Sequence, residues 1–220
     1  MKSFRKILSI LLAFVLVFSE LAGMVNIVKA ETEGLRDLWD FNTAETSEQG
    51  NKTKAEFVGS VSVADDAVFG KVLSFGNDNK SYMKVSNYFD ASKGDYTFSL
   101  WYKVDKSIAG SNIALLQQDG QGKTLLSLRP DGHYLTYINS QNVISENGIS
   151  QDEWQHVTVS FNQTDDQIKY YINGKLDSTL ALNGSPAQGI TSLLIGTHKN
   201  IGSTDPDLQD LWMILEYLTE

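Results

Sequence analysis

The sequence predicts an all-β chain folded as two packed antiparallel sheets, and three observations carry that prediction. From Leu38 onward, apolar and polar residues alternate with a period of two in short segments. Those segments are bounded by Gly, Asn, Asp and Ser, whose backbone freedom or side-chain bonding suits turns. No stretch sustains the 3.6-residue apolar stripe of an amphipathic helix. With 220 residues, 41% of them hydrophobic, 17 glycines and three prolines, the chain has material for one good-sized core.

The first element stands apart from the rest. Lys2, Arg5 and Lys6 precede an apolar run over residues 7–18, and Val28-Lys29-Ala30 offers a small-residue cleavage site. Residues 1–30 are therefore expected to be a secretory signal peptide. Ser19 and Glu20 end the apolar run short of the roughly 20 residues a spanning helix needs, so no membrane anchor is expected after cleavage. Alternation then marks strands at 38–41, 56–63, 72–75 and 82–85. It continues at 96–104, 112–118, 124–128, 134–138, 154–161, 167–172, 175–181 and 191–195. Asp119-Gly120, Asp131-Gly132 and Asn173-Gly174 fall between these segments, where tolerance of positive φ suits tight hairpins, and Asn173-Gly174 is the strongest of the three. Neither a repeat nor a Pro-rich linker interrupts the run, so one domain is expected over residues 31–206.

Composition excludes several functions. The formal charge is −9, and without residues 1–30, which carry Lys2, Arg5, Lys6 and Lys29 against Glu20 alone, it becomes −12. So acidic a surface repels phosphate backbones, and nucleic acid is not an expected partner. The absence of cysteine removes disulfides, iron–sulfur clusters, zinc fingers and thiol nucleophiles. His133, His156 and His198 show no paired metal spacing, and there is no nucleophile elbow or phosphate-cradling glycine loop. Asp65-Asp66 and Asp165-Asp166 sit beside turns, where acids are usually solvated. A catalytic site is not expected.

Alternation also separates the faces of two strands. Phe98, Leu100, Tyr102 and Val104 share one face with the core, as do Val157, Val159 and Phe161. The opposite faces hold Thr97, Ser99, Trp101 and Lys103, and Trp154, His156, Thr158 and Ser160. An indole ringed by hydroxyls and an imidazole suits the apolar face and polar rim of a sugar, making Trp101, Trp154 and His156 the candidate carbohydrate contacts. The same indoles also suit packing beneath a loop, and both readings stand at this point.

Several segments, in order, carry a resemblance. Val72-Leu73-Ser74-Phe75-Gly76-Asn77-Asp78, Tyr82-Met83-Lys84-Val85, Tyr96 to Lys103, Trp154-Gln155-His156-Val157, Tyr171-Ile172-Asn173-Gly174-Lys175 and Leu194-Ile195-Gly196 resemble the laminin-G-like, concanavalin A-like domains of secreted bacterial proteins. That resemblance implies a two-sheet jelly-roll sandwich, usually binding rather than catalytic, attached to a larger exoprotein such as a glycoside hydrolase. Glucanases on this sandwich use a Glu-x-Asp-x-x-Glu strand, which is absent here. The resemblance also implies a structural calcium at Asp78, and oxygen-bearing Asp40 and Asn42 beside the first strand suit the same ion. The expected function is a secreted, extracellular module that binds a polysaccharide or glycan. The alternative is a structural or protein-interaction module without sugar affinity.

At its end the chain departs from that pattern. The family closes on a strand resembling Gly-x-Val-Asp-Asp-Phe-Arg-Ile-Tyr, whereas this chain closes on Leu211-Trp212-Met213-Ile214-Leu215-Glu216-Tyr217-Leu218-Thr219-Glu220. One permitted codon set for those residues, ctg tgg atg att tta gaa tat ttg acg gag, read two nucleotides in, encodes Val-Asp-Asp-Phe-Arg-Ile-Phe-Asp-Gly. Trp212 and Met213 each have a single codon and fix much of the match. Residues 207–220 are thus expected to be an aberrant, frameshifted closing segment. They are expected either to pair as an improvised strand or to curl as a short helix.

Overall fold

Strands form where the sequence alternates, and they assemble into two antiparallel sheets stacked as a sandwich. The computed structural model describes residues 35–41, 49–50, 53–76, 81–90, 94–104, 112–119, 123–138, 140–148, 152–182, 189–198 and 211–219. The expected signal peptide, Asn42 and Asp78 lie outside them. The strands are β1 Leu35–Trp39, β2 Gln49–Gly50, β3 Glu56–Val58, β4 Val61–Asp66, β5 Gly70–Phe75, β6 Tyr82–Asp90, β7 Tyr96–Val104 and β8 Ile113–Gln118. They continue as β9 Lys123–Leu128, β10 His133–Ile138, β11 Gln141–Gly148, β12 Gln155–Asn162, β13 Gln167–Ile172, β14 Lys175–Ala181, β15 Ile190–His198 and β16 Leu211–Thr219. The first sheet runs β14-β13-β12-β7-β16-β1-β2, with β5 also on β16 and β4 on β5. The second runs β11-β10-β9-β8-β15-β6-β3.

The expected core face is the observed one. Phe98, Leu100, Tyr102, Val104, Val157, Val159 and Phe161 are at most 5% exposed, and they share one buried cluster with Met83, Val85, Leu116, Leu193 and Ile195 of the second sheet. Polar bonds tie the layers together as well. Tyr102 and Tyr134 join their hydroxyls at 2.8 Å, and the Tyr170 hydroxyl donates to Thr136 Oγ1 at 2.6 Å. Burial raises the pKa of all three phenols, so they stay neutral. Along one open side, Asp177 of β14 accepts from the backbone amides of Glu146 and Asn147 on β11. Burial alone would raise the Asp177 carboxyl, but bonds from Asn147, Ser178 and those two amides hold its pKa below the usual value. Close approach sets one glycine: at Gly196, φ is 66°, and a Cβ would collide with the Phe75 ring of the opposite sheet.

Two of the three expected turns behave as the sequence indicates, and Gly120 of the third lies outside the described residues. Ile172 pairs with Lys175 around Asn173 and Gly174, whose φ values of 48° and 76° are those of a two-residue hairpin with both central residues left-handed. At Asp131-Gly132, Gly132 takes φ 85°, while Asp131 accepts from Arg129, whose bond holds the carboxyl down at about 2.

Several elements differ from expectation: β2 was not expected, and β6 runs on to Asp90 where the expected strand ended at 85. The expected strand 56–63 breaks at Gly59, φ 73°, because the chain leaves the second sheet after β3 and enters the first at β4. The polar segment of β11 was not expected as a strand; as an edge strand it turns only Val143 and Ser145 fully inward, so its alternation is faint. Of the two expected outcomes for the tail, residues 211–219 take the strand. β16 pairs with β7 over its whole length, and its other edge is shared between β5 at Leu211 to Met213 and β1 at Leu215 to Leu218.

A strand paired on both edges has its amide hydrogens in ladders, and opening it means opening the sheet. Amides of Leu211–Thr219 are expected to exchange as slowly as those of β7, and more slowly than those of the edge strand β14, in a hydrogen-exchange experiment. Such protection would make β16 a true closing element and end the alternative-frame reading of residues 207–220. Exchange far ahead of β7 would mark it as makeshift.

Candidate functional site

The register of β7 against β12 assembles the candidate site. Thr97 lies opposite Ser160, Ser99 opposite Thr158, and Trp101 opposite His156, all on the face turned away from the core. Hydroxyls along this face bond one another, Thr97 Oγ1 donating to Ser160 Oγ at 3.1 Å and Ser99 Oγ lying 3.0 Å from Thr158 Oγ1. The Asn173-Gly174 hairpin then locks the end of β12. His156 N donates to Asn173 Oδ1 at 2.9 Å, Asn173 N donates to the His156 carbonyl at 2.8 Å, and Asn173 Nδ2 donates to Gln155 Oε1 at 2.9 Å.

Trp101 comes together with Trp154 and His156, which lie over fifty residues further along the sequence. The Trp101 ring lies 4.9 Å from the His156 ring, and both indoles meet one further ring, Phe69, at 5.2 Å for Trp101 and 4.7 Å for Trp154. Both tryptophans are half-buried. His156 is 6% exposed, with Nε2 2.8 Å from Ser99 Oγ, so its imidazole braces the face from beneath. Sequence reading missed Phe69. Its signal is the apolar pair Val68-Phe69 inside a turn flanked by Asp66 and Gly70, where polar residues are the rule.

The acidic pairs have turn roles. Asp66 Oδ1 accepts from the amides of Val68 and Phe69, Asp65 pairs with Lys71, and Asp165 exchanges bonds with Asn162. Of the expected calcium ligands, Asp40 falls within the described residues, half-buried just after β1. Among the described residues, no group of three or more His, Asp or Glu side chains is placed to hold a metal ion.

Burial depresses the His156 pKa from 6.5 to about 4. An unfolded chain accepts this proton near pH 6.5, whereas the native state resists until about pH 4, so the unfolded state gains protons first and stability falls with pH across that window. The loss should reach about 2–3 kcal/mol at pH 4. Urea unfolding between pH 7 and 4 is expected to show it in the natural chain, and to show a shallower decline in His156→Gln; parallel profiles would contradict it.

Residues 76–211 match the laminin-G-type family description "Concanavalin A-like lectin/glucanases superfamily". No curated protein sequence matches the chain. Among solved structures, it is similar to domain 4 of AbnA, a GH43 extracellular arabinanase from Geobacillus stearothermophilus, in complex with arabinotriose. The TM-score is 0.64 at 17% identity, over 84% of this chain and 94% of that one. The receptor binding domain of botulinum neurotoxin C/D mosaic serotype gives 0.64 at 17% identity, over 84% of this chain and 48% of that one. For the binding domain of Paraclostridial Mosquitocidal Protein 1 the values are 0.60 and 20%, over 84% and 48%. The chain thus spans about half the length of the toxin domains it matches. A family match over more than half of the chain, together with a two-sheet antiparallel sandwich, places this protein in the concanavalin A-like lectin/glucanase superfamily.

Proposed function

We propose that the chain is a secreted, non-catalytic carbohydrate-binding module that works beside a catalytic domain of a larger exoprotein. One observation carries this reading: Trp101 and Trp154 converge on an outward sheet face, both against Phe69, with the half-buried hydroxyls of Thr158 and Ser160 along the same face. Aromatic faces take the C–H surface of a sugar and hydroxyl groups take its rim. The bound arabinotriose of the similar arabinanase domain supports a saccharide ligand. The turn roles of Asp65, Asp66 and Asp165 support a site without acid–base chemistry. A second reading, a structural or protein-interaction module, is favoured by the half-burial of both indoles against Phe69, which gives them a packing role of their own.

Affinity electrophoresis on arabinan, xylan, fructan and host-type glycans separates the two. Retardation by at least one polysaccharide is expected, weakened by about 1–3 kcal/mol in a folded Trp101→Ala variant, the usual loss of an aromatic anchor. Unchanged affinity in that variant moves the site elsewhere, and mobility unaffected by any glycan favours the structural reading.

We also propose a structural calcium held by Asp78 with Asp40 and Asn42. A ligand bound only by the native state raises its melting temperature. Melts with calcium should exceed melts with chelator by several degrees and should converge in Asp78→Ala; superimposable melts of the natural chain remove calcium from the account.

A further inference from the structure

The residue that completes the aromatic corner reaches it from a distance. β5 pairs with β16 only through Leu73 to Phe75, and β1 takes over the same edge from Leu215. The tip of the β4–β5 hairpin, Asp65 to Lys71, is therefore paired only with itself. In the sheet order, β16 and β7 lie between β5 and β12, so the tip crosses the outward face to set Phe69 against Trp101 and Trp154. Among the described residues, the side-chain hydrogen bonds and ion pairs of the tip are internal: Asp66 to the Val68 and Phe69 amides, and Asp65 to Lys71. At its neck, Gly70 takes φ 77° and a Cβ there would meet nothing within 4 Å. Val68 beside it is 61% exposed. Ring packing by Phe69 is thus the hold of this tip on the sheet.

Centroid separations of 5.2 and 4.7 Å are those of direct ring contact, with no layer left for a sugar ring between Phe69 and either indole. We propose that Phe69 is an intramolecular occupant of the aromatic site, and that the tip swings off the sheet before a saccharide stacks on Trp101 or Trp154. For its ligand this rests on the glycan reading above; the swing itself does not. A site blocked in the dominant state has its apparent affinity reduced by the open fraction.

The test uses the full chain labelled with 5-fluorotryptophan, whose resonances are assigned with Trp→Phe variants. Fluorine relaxation dispersion should show Trp101 and Trp154 exchanging between two states in the natural chain and a single state in Phe69→Ala. Arabinotriose, xylotriose and a panel of related oligosaccharides serve as probes. Phe69→Ala should bind the preferred one on the order of tenfold more tightly than the natural chain, and Phe69→Trp no more tightly. No exchange in the natural chain, or equal or weaker binding by a folded Phe69→Ala, overturns the proposal. Exchange without binding by either protein supports the swing and overturns the glycan reading, so the two failures are told apart.

Discussion

The register of β7 against β12 is the constraint on which the rest of the structure depends. Leu100 opposite Val157 and Phe98 opposite Val159 put four apolar residues on the core side. The same alignment puts Trp101 opposite His156 and Ser99 opposite Thr158 on the outer side. Because side chains alternate with a period of two, a slip by one residue would exchange these sets, burying hydroxyls and indoles and exposing phenylalanine and leucine. Stability and the candidate site are therefore enforced by one alignment, which the Asn173 side chain holds at the His156 end.

A sandwich without cysteine must hold its layers together by other means. Tyr102 with Tyr134, and Tyr170 with Thr136, place hydroxyl bonds inside the core. Each such bond contributes about 1 kcal/mol net but costs more if one partner is lost, so these bonds favour one lateral alignment of the sheets more than they add stability. Asp177 does similar work at the edge, and Phe75 against Gly196 fixes how closely the sheets approach.

On the outward face, one cluster combines ring packing with the residue chemistry of the candidate site. Phe69 packs against both indoles and covers part of their apolar surface, which reduces the cost of carrying two tryptophans on an outward face. The hairpin tip that carries it is short, self-paired and held on the sheet by one ring. Such an arrangement lies at the low end of local stability, where moving elements are drawn from.

Much of the fold was legible in the sequence because both its signals are local. Alternation marked β7, β13 and β14 to the residue, and Asn173-Gly174 marked its hairpin, since side-chain period and positive φ depend only on neighbouring residues. Legibility failed where partners decide. The break at Gly59 depends on two different sheets, β11 is a strand because β10 needs an edge partner, and the tail chose a strand because β7, β5 and β1 offered edges to pair. The site divides in the same way. Trp101, Trp154 and His156 could be named from alternation and residue chemistry alone, but their meeting required the β7–β12 register, and Phe69 entered only because a hairpin tip crosses two strands. Local chemistry determined which residues were suited to a sugar; long-range pairing, which no single segment encodes, decided that they meet on one face and that a phenylalanine lies against them.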